Sequence, residues 1–192
     1  MADAPINFTN QFLIAMPGMV GETFAGSVIY LCEHTDKGAL GLVINKPVDI
    51  TLKNLFEKVD LTLDRDDLAD EPVYFGGPVQ TERGFVLHQS SGADAGRYSS
   101  SLQVPGGLEM TTSKDVLEAL AHGAGPKKLL ITLGYSGWGA GQLEDEMARN
   151  SWINVGAVPE IIFDTPVGER YDRALSLLGI DARMLSQEAG HA

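Results

Sequence analysis

The chain has 192 residues, 44% of them hydrophobic, which is enough to bury a sizeable core, and one domain spanning 1–192 is the expectation. Its 26 acidic against 14 basic residues leave a net charge of −12, and the longest basic run is Lys127-Lys128; direct nucleic-acid binding is therefore disfavoured, because a phosphate backbone needs clustered cations. No apolar run approaches the roughly 20 residues of a membrane span, the start "MADAPINFTNQF" lacks a secretory pattern, and a lone Cys32 excludes an internal disulfide framework, so no membrane association and a cytoplasmic location are expected.

The ends, 1–10 and 185–192, are expected to be flexible. "FAGSVIYLCEH" (24–34) and "ALGLVINKP" (39–47) carry apolar residues in both alternation sets, the pattern of strands covered on two faces. Asp36-Lys37-Gly38 between them predicts a hairpin with a loop longer than two residues. "DITLKNLFEKV" switches to helical period through Leu52, Leu55, Phe56 and Val59, with Asp49 or Thr51 as N-cap.

Six carboxylates and Arg65 then mark 60–71 as a solvated linker, and "PVYFGGPV" and "RGFVLH" read as short strands. From Gln89 to Gly107 the chain is rich in Ser and Gly, and "YSSSLQV" reads equally as loop or edge strand. "TTSKDVLEALAHGAGP" predicts a second helix with capping-box spacing between Thr112 and Asp115. "KKLLITLGY" is a buried strand, "GQLEDEMARN" a third helix, and "WINVGAVPEIIFDTP" holds a further strand or two. "VGERYDRALSLLGI" predicts a fourth helix with Val167, Tyr171, Ala174, Leu175 and Leu178 on its apolar side. Strands lead and helices alternate with strands later, so the expected fold is α+β, a mixed sheet with about four helices packed around it.

The blocks "FLIAMPGM", "SVIYLCEH", "GLVINKP", "GGPV", "RGFVLH", "MTTSKDVLEAL", "LGYSGWGAGQLEDEMARNSW", "IIFDTP" and the terminal "GHA" resemble the AlgH-like family, also called YqgE. The resemblance runs from Phe12 to Ala192. It implies a bacterial cytoplasmic protein with a bifurcated, partly barrel-like sheet, in a family without an established biochemical activity whose inherited label is transcriptional regulator. Position 171 departs from the family pattern: Tyr171 stands where Trp is expected, a change that keeps a bulky aromatic.

The stretch Leu129 to Asn150, "LLITLGYSGWGAGQLEDEMARN", carries the candidate chemistry. A nucleophile elbow needs G-x-S-x-G, but Trp138 replaces the second glycine around Ser136, and His34, His88 and His122 all lie upstream, whereas the hydrolase order puts the histidine last. The family pattern also accepts alanine at Ser136. Gly137, Gly139 and Gly141 do not form a dinucleotide or phosphate-loop motif, so a strand-to-helix turn after Leu133 is preferred to an anion site.

In the helix that follows, Ala140, Leu143, Met147 and Ala148 define an apolar sector, with Glu144 roughly 40° from its centre. Glu144 should therefore point inward and find donors among Tyr135, Trp138 or Trp152, Asn45 and Asn150. A core anchor is preferred to a catalytic acid. Cys32 and His34 share a strand face by alternation, and with His88 they form the thin candidate ligand set for a metal; no metal and no cofactor are expected.

The reading is a non-enzymatic binding or regulatory domain acting through a protein partner, with no catalytic residue assigned. The alternative is a small-molecule-binding protein or hydrolase whose cleft lies near the 134–144 turn and gathers Asn45, His88, Tyr135, Trp138, Gln142, Glu144 and Asn150. A shared cavity favours the alternative; Trp138 and Glu144 sealed in packing argue against it.

Overall fold

A computed structural model describes residues 7–17, 23–90 and 97–180. The end at 185–192, most of the end at 1–10, the terminal "GHA" and the middle of the Ser/Gly-rich stretch lie outside the described residues.

The strands are β1 (Gln11–Ala15), β2 (Val28–Thr35), β3 (Gly38–Val43), β4 (Pro47–Thr51), β5 (Pro72–Phe75), β6 (Val79–Gln89), β7 (Ser101–Val104), β8 (Leu108–Thr111), β9 (Leu129–Gly139) and β10 (Trp152–Gly156). The helices are α1 (Leu52–Lys58), α2 (Asp115–Ala121), α3 (Gln142–Ala148), α4 (Pro159–Phe163) and α5 (Arg170–Ser176), the last entered through a 3-10 turn at Val167–Glu169. The fold is mixed α+β. Its sheet runs β10-β1-β2-β3-β9-β6-β8-β7 and curls into a half-barrel, with β4 and β5 branching off.

The branch point is β9. Its first half pairs antiparallel with β6 and, through Tyr74↔Thr132 and Phe75↔Leu133, parallel with β5. Its second half, 136–139, pairs with β3. The sheet therefore forks, as the family resemblance implies.

Three apolar clusters hold the layers. The first gathers Phe12, Tyr30, Leu42 and Leu87 beneath α4 and α5. The second sets Leu13, Ile29 and Leu31 against Trp138, Leu143 and Trp152. The third places Phe56 and Leu120 over Val86 and Ile131. Val28 and Tyr30 enter the first cluster while Ile29 and Leu31 enter the second, which accounts for the apolar residues in both alternation sets of this segment. Arg170, although buried, donates from Nε to the Thr165 carbonyl and lies 5.0 Å from the centroid of the Tyr74 ring, tying α5 to the sheet.

Several local expectations change. Thr35 pairs with Gly38, so the hairpin loop is only Asp36-Lys37. Gly38 takes the strain: at φ +142 a Cβ would sit 2.3 Å from the Trp138 carbonyl oxygen. Thr51 caps α1 in a reciprocal arrangement with Asn54, but the chain just before it pairs as β4. Thr112 does not box α2. Lys114 is its N-cap, and Asp115 instead accepts from the Ser99 backbone and the Ser113 hydroxyl.

The ambiguous "YSSSLQV" resolves into irregular chain followed by the edge strand β7. "PEIIF" is helical rather than extended, because Pro159 occupies the first turn of α4. Leu178 falls beyond α5 and is exposed. Tyr171 does more than fill space, since its hydroxyl donates to the Ala15 carbonyl at 2.7 Å.

Candidate functional site

The glycine-rich stretch after Leu133 is strand, not turn. β9 continues unbroken to Gly139 and only kinks at Gly134, whose φ of +78 brings it against the Gly77 carbonyl. Alternation along the extended chain sends Tyr135 toward the first cluster and Ser136 and Trp138 toward the other face. Ser136 is fully buried, and its hydroxyl donates to the Gly76 carbonyl at 3.0 Å. A hydroxyl sealed there has neither a base nor a path for a substrate.

The acid expected to meet the indoles is a different one. Glu146 Oε1 accepts from Trp152 Nε1 at 2.9 Å and from Trp138 Nε1 at 3.2 Å, and its Oε2 accepts from Gln142 Nε2 at 3.0 Å. Gln142 Oε1 in turn accepts from the Gly139 backbone N–H. Glu144 is not inward: its side chain is 40% exposed, and it pairs with His34.

The reason lies in the helical arithmetic. Ala140 and Ala148 are exposed, so the apolar face of α3 centres on Leu143 and Met147. Glu144 and Glu146 then flank it at about 80° on either side. The Gln142 and Glu146 spacing of four residues was the available signal for this network.

His34 reaches Glu144 because of a β-bulge. Pairing shifts between Leu31↔Gly41 and Glu33↔Leu40, leaving Cys32 as the extra residue. Beyond the bulge the faces exchange, so Cys32 packs in the first cluster while His34 stacks on Phe8 at the second. The two do not share a face, and no three His, Cys, Asp or Glu side chains converge on a metal geometry among the described residues. Burial pushes the Cys32 thiol well above its ordinary pKa, which keeps it unreactive.

His34 Nδ1 accepts from the Phe8 backbone N–H at 3.0 Å, so its ring proton sits on Nε2 and is donated to Glu144. Both ring nitrogens are occupied. His88 is equally committed. Its Nδ1 donates to the Gln89 carbonyl at 3.1 Å, which leaves Nε2 as acceptor for the Thr111 hydroxyl at 2.8 Å, while Ser101 donates to Thr111 at 2.7 Å. The chain of protons thus runs Ser101 to Thr111 to His88 to backbone. Burial lowers the His88 pKa despite Glu109 Oε2 at 3.8 Å, so the ring is held neutral.

Asn45 lies elsewhere. It accepts from Val28 N–H and donates to the Gly26 carbonyl, closing the turn before β2. Asn150 is exposed in left-handed backbone at φ 61 and ends α3. The expected cleft gathering these residues therefore does not form. The structure links Trp138, Gln142 and Glu146 in one network and His34 with Glu144 in another, while His88, Asn45 and Asn150 stand apart.

What forms instead is an open groove of about 490 Å³ at the β2–β3 hairpin. Glu33, Lys37, Leu40, Val79, Tyr135 and Trp138 line it. The bulge at Cys32 is what turns Glu33 to this side. Among the described residues, neither Glu33 nor Lys37 has a side-chain ion pair or hydrogen bond, and the Tyr135 hydroxyl is unbonded. Alongside it, residues 136–139 of β9 pair with β3 on one side only, because β6 pairing ends at Val79↔Tyr135. Of the residues singled out in the sequence, Tyr135, Gly137 and Trp138 reach this groove, joined by Lys37 and Gly38 of the expected turn; Glu33, Leu40 and Val79 read there only as parts of strand segments.

A family model described as AlgH-like matches residues 12–183. A UPF0301 protein of Cupriavidus pinatubonensis is 67% identical over 100% of this chain and 98% of its own length. One from Ralstonia nicotianae is 66% identical over 99% of this chain and 98% of its own length. Among solved structures, the solution structure of the AlgH protein from Pseudomonas aeruginosa is 46% identical, covers 100% of both chains and superposes with a TM-score of 0.78. A Corynebacterium diphtheriae protein at 21% identity shares the fold, with a TM-score of 0.74 over 97% of this chain and 94% of that one.

Proposed function

This chain belongs to the AlgH-like family, and from that premise we propose that it is a bacterial cytoplasmic binding domain that exerts a regulatory effect by holding an extended segment of a protein partner. The observation that carries this reading is the pairing of an open strand edge at 137–138, between the Gly77 contact at Ser136 and the Gly139 N–H held by Gln142, with the groove beside it. A sheet edge gives an incoming strand main-chain hydrogen bonds, and neighbouring side chains select its sequence. Leu40 and Val79 supply apolar contact, Tyr135 a free hydroxyl, and Glu33 and Lys37 opposite charges. The net charge of −12 favours a basic partner segment, both in encounter rate and in orientation.

The groups whose chemistry suggested catalysis are spent on internal bonds: Ser136 on Gly76, His34 on Phe8 and Glu144, His88 on Gln89 and Thr111. That supports the binding reading over a hydrolase. The test is affinity purification from the native host with the wild-type chain, the groove variant Leu40→Asp and the remote variant Lys53→Gln. A discrete protein recovered with wild type and Lys53→Gln but lost with Leu40→Asp supports the proposal. Equal recovery by all three contradicts it.

A further inference from the structure

We propose that the apolar pocket between α1 and α2 is a binding site for a free hydrophobic α-amino acid. The pocket encloses about 250 Å³ over β6 and β9, on the side of the third cluster. Leu55 of α1, Leu117 of α2, Val86 and Ile131 form its walls. A cavity of about 150 Å³ with aliphatic walls accepts benzene, so this one has room for a branched or aromatic side chain together with its Cα.

Gly84 marks the empty space. It lines the pocket, its backbone is not left-handed, and a Cβ placed there meets no atom within 4 Å. The missing side chain thus opens room and relieves no strain.

Three charged residues, Glu82, Arg83 and Lys114, are in its lining. Glu82 and Lys114 both line the pocket, both are exposed, and neither has an ion-pair partner among the described residues. Arg83 also lines the pocket, but its guanidinium is engaged elsewhere, donating to Gln80 Oε1 at 3.3 Å and lying 5.8 Å from the Phe85 ring centroid, so it forms no ion pair with Glu82. An α-amino acid presents the complement of all three features. Its ammonium matches Glu82, its carboxylate matches Lys114, and its side chain enters the apolar walls. A simple carboxylic acid would set its charge against Glu82, and a simple amine would set its charge against Lys114. This site lies apart from the β9 groove, and its failure would leave the partner-binding reading untouched.

The experiment is methyl NMR of the full chain titrated with L-leucine or L-phenylalanine, and in parallel with hexanoate and isoamylamine, which each lack one charge. Saturable shifts are expected at methyls of Leu55, Val86, Leu117 and Ile131, with the amino acids binding about tenfold tighter than either control. Gly84→Leu should fill the pocket and abolish the shifts while the rest of its spectrum stays native. Glu82→Gln and Lys114→Gln should each weaken binding about tenfold. Absence of shifts at millimolar ligand, equal binding of the singly charged controls, or undiminished binding by a folded Gly84→Leu would each overturn the proposal.

Discussion

At the scale of single residues, the polar groups that stand out in the sequence are working as joints. Glu146 receives both indole N–H groups, so truncating it leaves two donors in a poorly solvated position. Leaving such groups unpaired costs about 1–3 kcal/mol each. Glu146→Ala is therefore expected to lower unfolding stability by about 2–6 kcal/mol in denaturant titration, with a change in Trp fluorescence of the native state. Glu144→Ala removes a side chain that is 40% exposed, so water can reach the His34 Nε2–H it leaves behind, and the cost should be about 1 kcal/mol or less. Equal losses would mean that the two acids have been assigned the wrong roles.

His88 adds a pH signature. Burial depresses its folded-state pKa below the ordinary value, so below about pH 6.5 the unfolded chain takes up the proton that the folded ring refuses. Its contribution to stability is complete above that pH and is lost as pH falls toward the folded value. Replacing it with His88→Gln should flatten the stability-against-pH curve below about pH 6.5 relative to wild type. An unchanged slope would show that the ring is not held neutral.

At the scale of elements, two glycines near one another in sequence make different demands. Gly134 and Gly141 both have left-handed backbone, at φ +78 and +75, but a Cβ at Gly134 would lie 2.4 Å from the Gly77 carbonyl oxygen, whereas one at Gly141 meets nothing within 4 Å. Gly141→Ala should cost about 1 kcal/mol from backbone strain alone. Gly134→Ala should cost more than about 2 kcal/mol, because strain and collision add. Comparable melting temperatures for the two variants would contradict the kink as the origin of the fork.

This stretch also shows what periodicity can and cannot read. The covered strands, α1 with its Thr51 cap and the helical runs were legible because burial repeats at 2 or 3.6 residues. The passage of β9 through three glycines was not, since glycine reads locally as a turn while the hydrogen bonds to β3 that keep it extended come from residues about 100 positions away. The bulge at Cys32 was equally hidden. One extra residue reverses every face after it, and nothing in the alternation announces it. The site was less legible than the fold for the same reason: Tyr135 and Trp138 could be singled out, but the groove they join is assembled by that reversal and by the place where β6 pairing stops.

At the scale of the whole molecule, charge and edge geometry point the same way. A chain at −12 should not shift duplex DNA with sequence selectivity and salt sensitivity; a selective shift by the purified protein would replace protein contacts with direct reading of DNA. No helix among the described residues is long and apolar enough to cross a membrane. The half-barrel thus presents an edge where β9 runs out of strand partners, beside the Glu33, Lys37 and Tyr135 side chains of the groove.

The most direct measurement places a photo-crosslinking residue at Lys37, in the groove, and separately at Lys53 on α1, in the native host. Binding along the β9 edge predicts a discrete crosslinked protein from position 37 and none from position 53. No adduct at 37, or the same adducts from both positions, would contradict it.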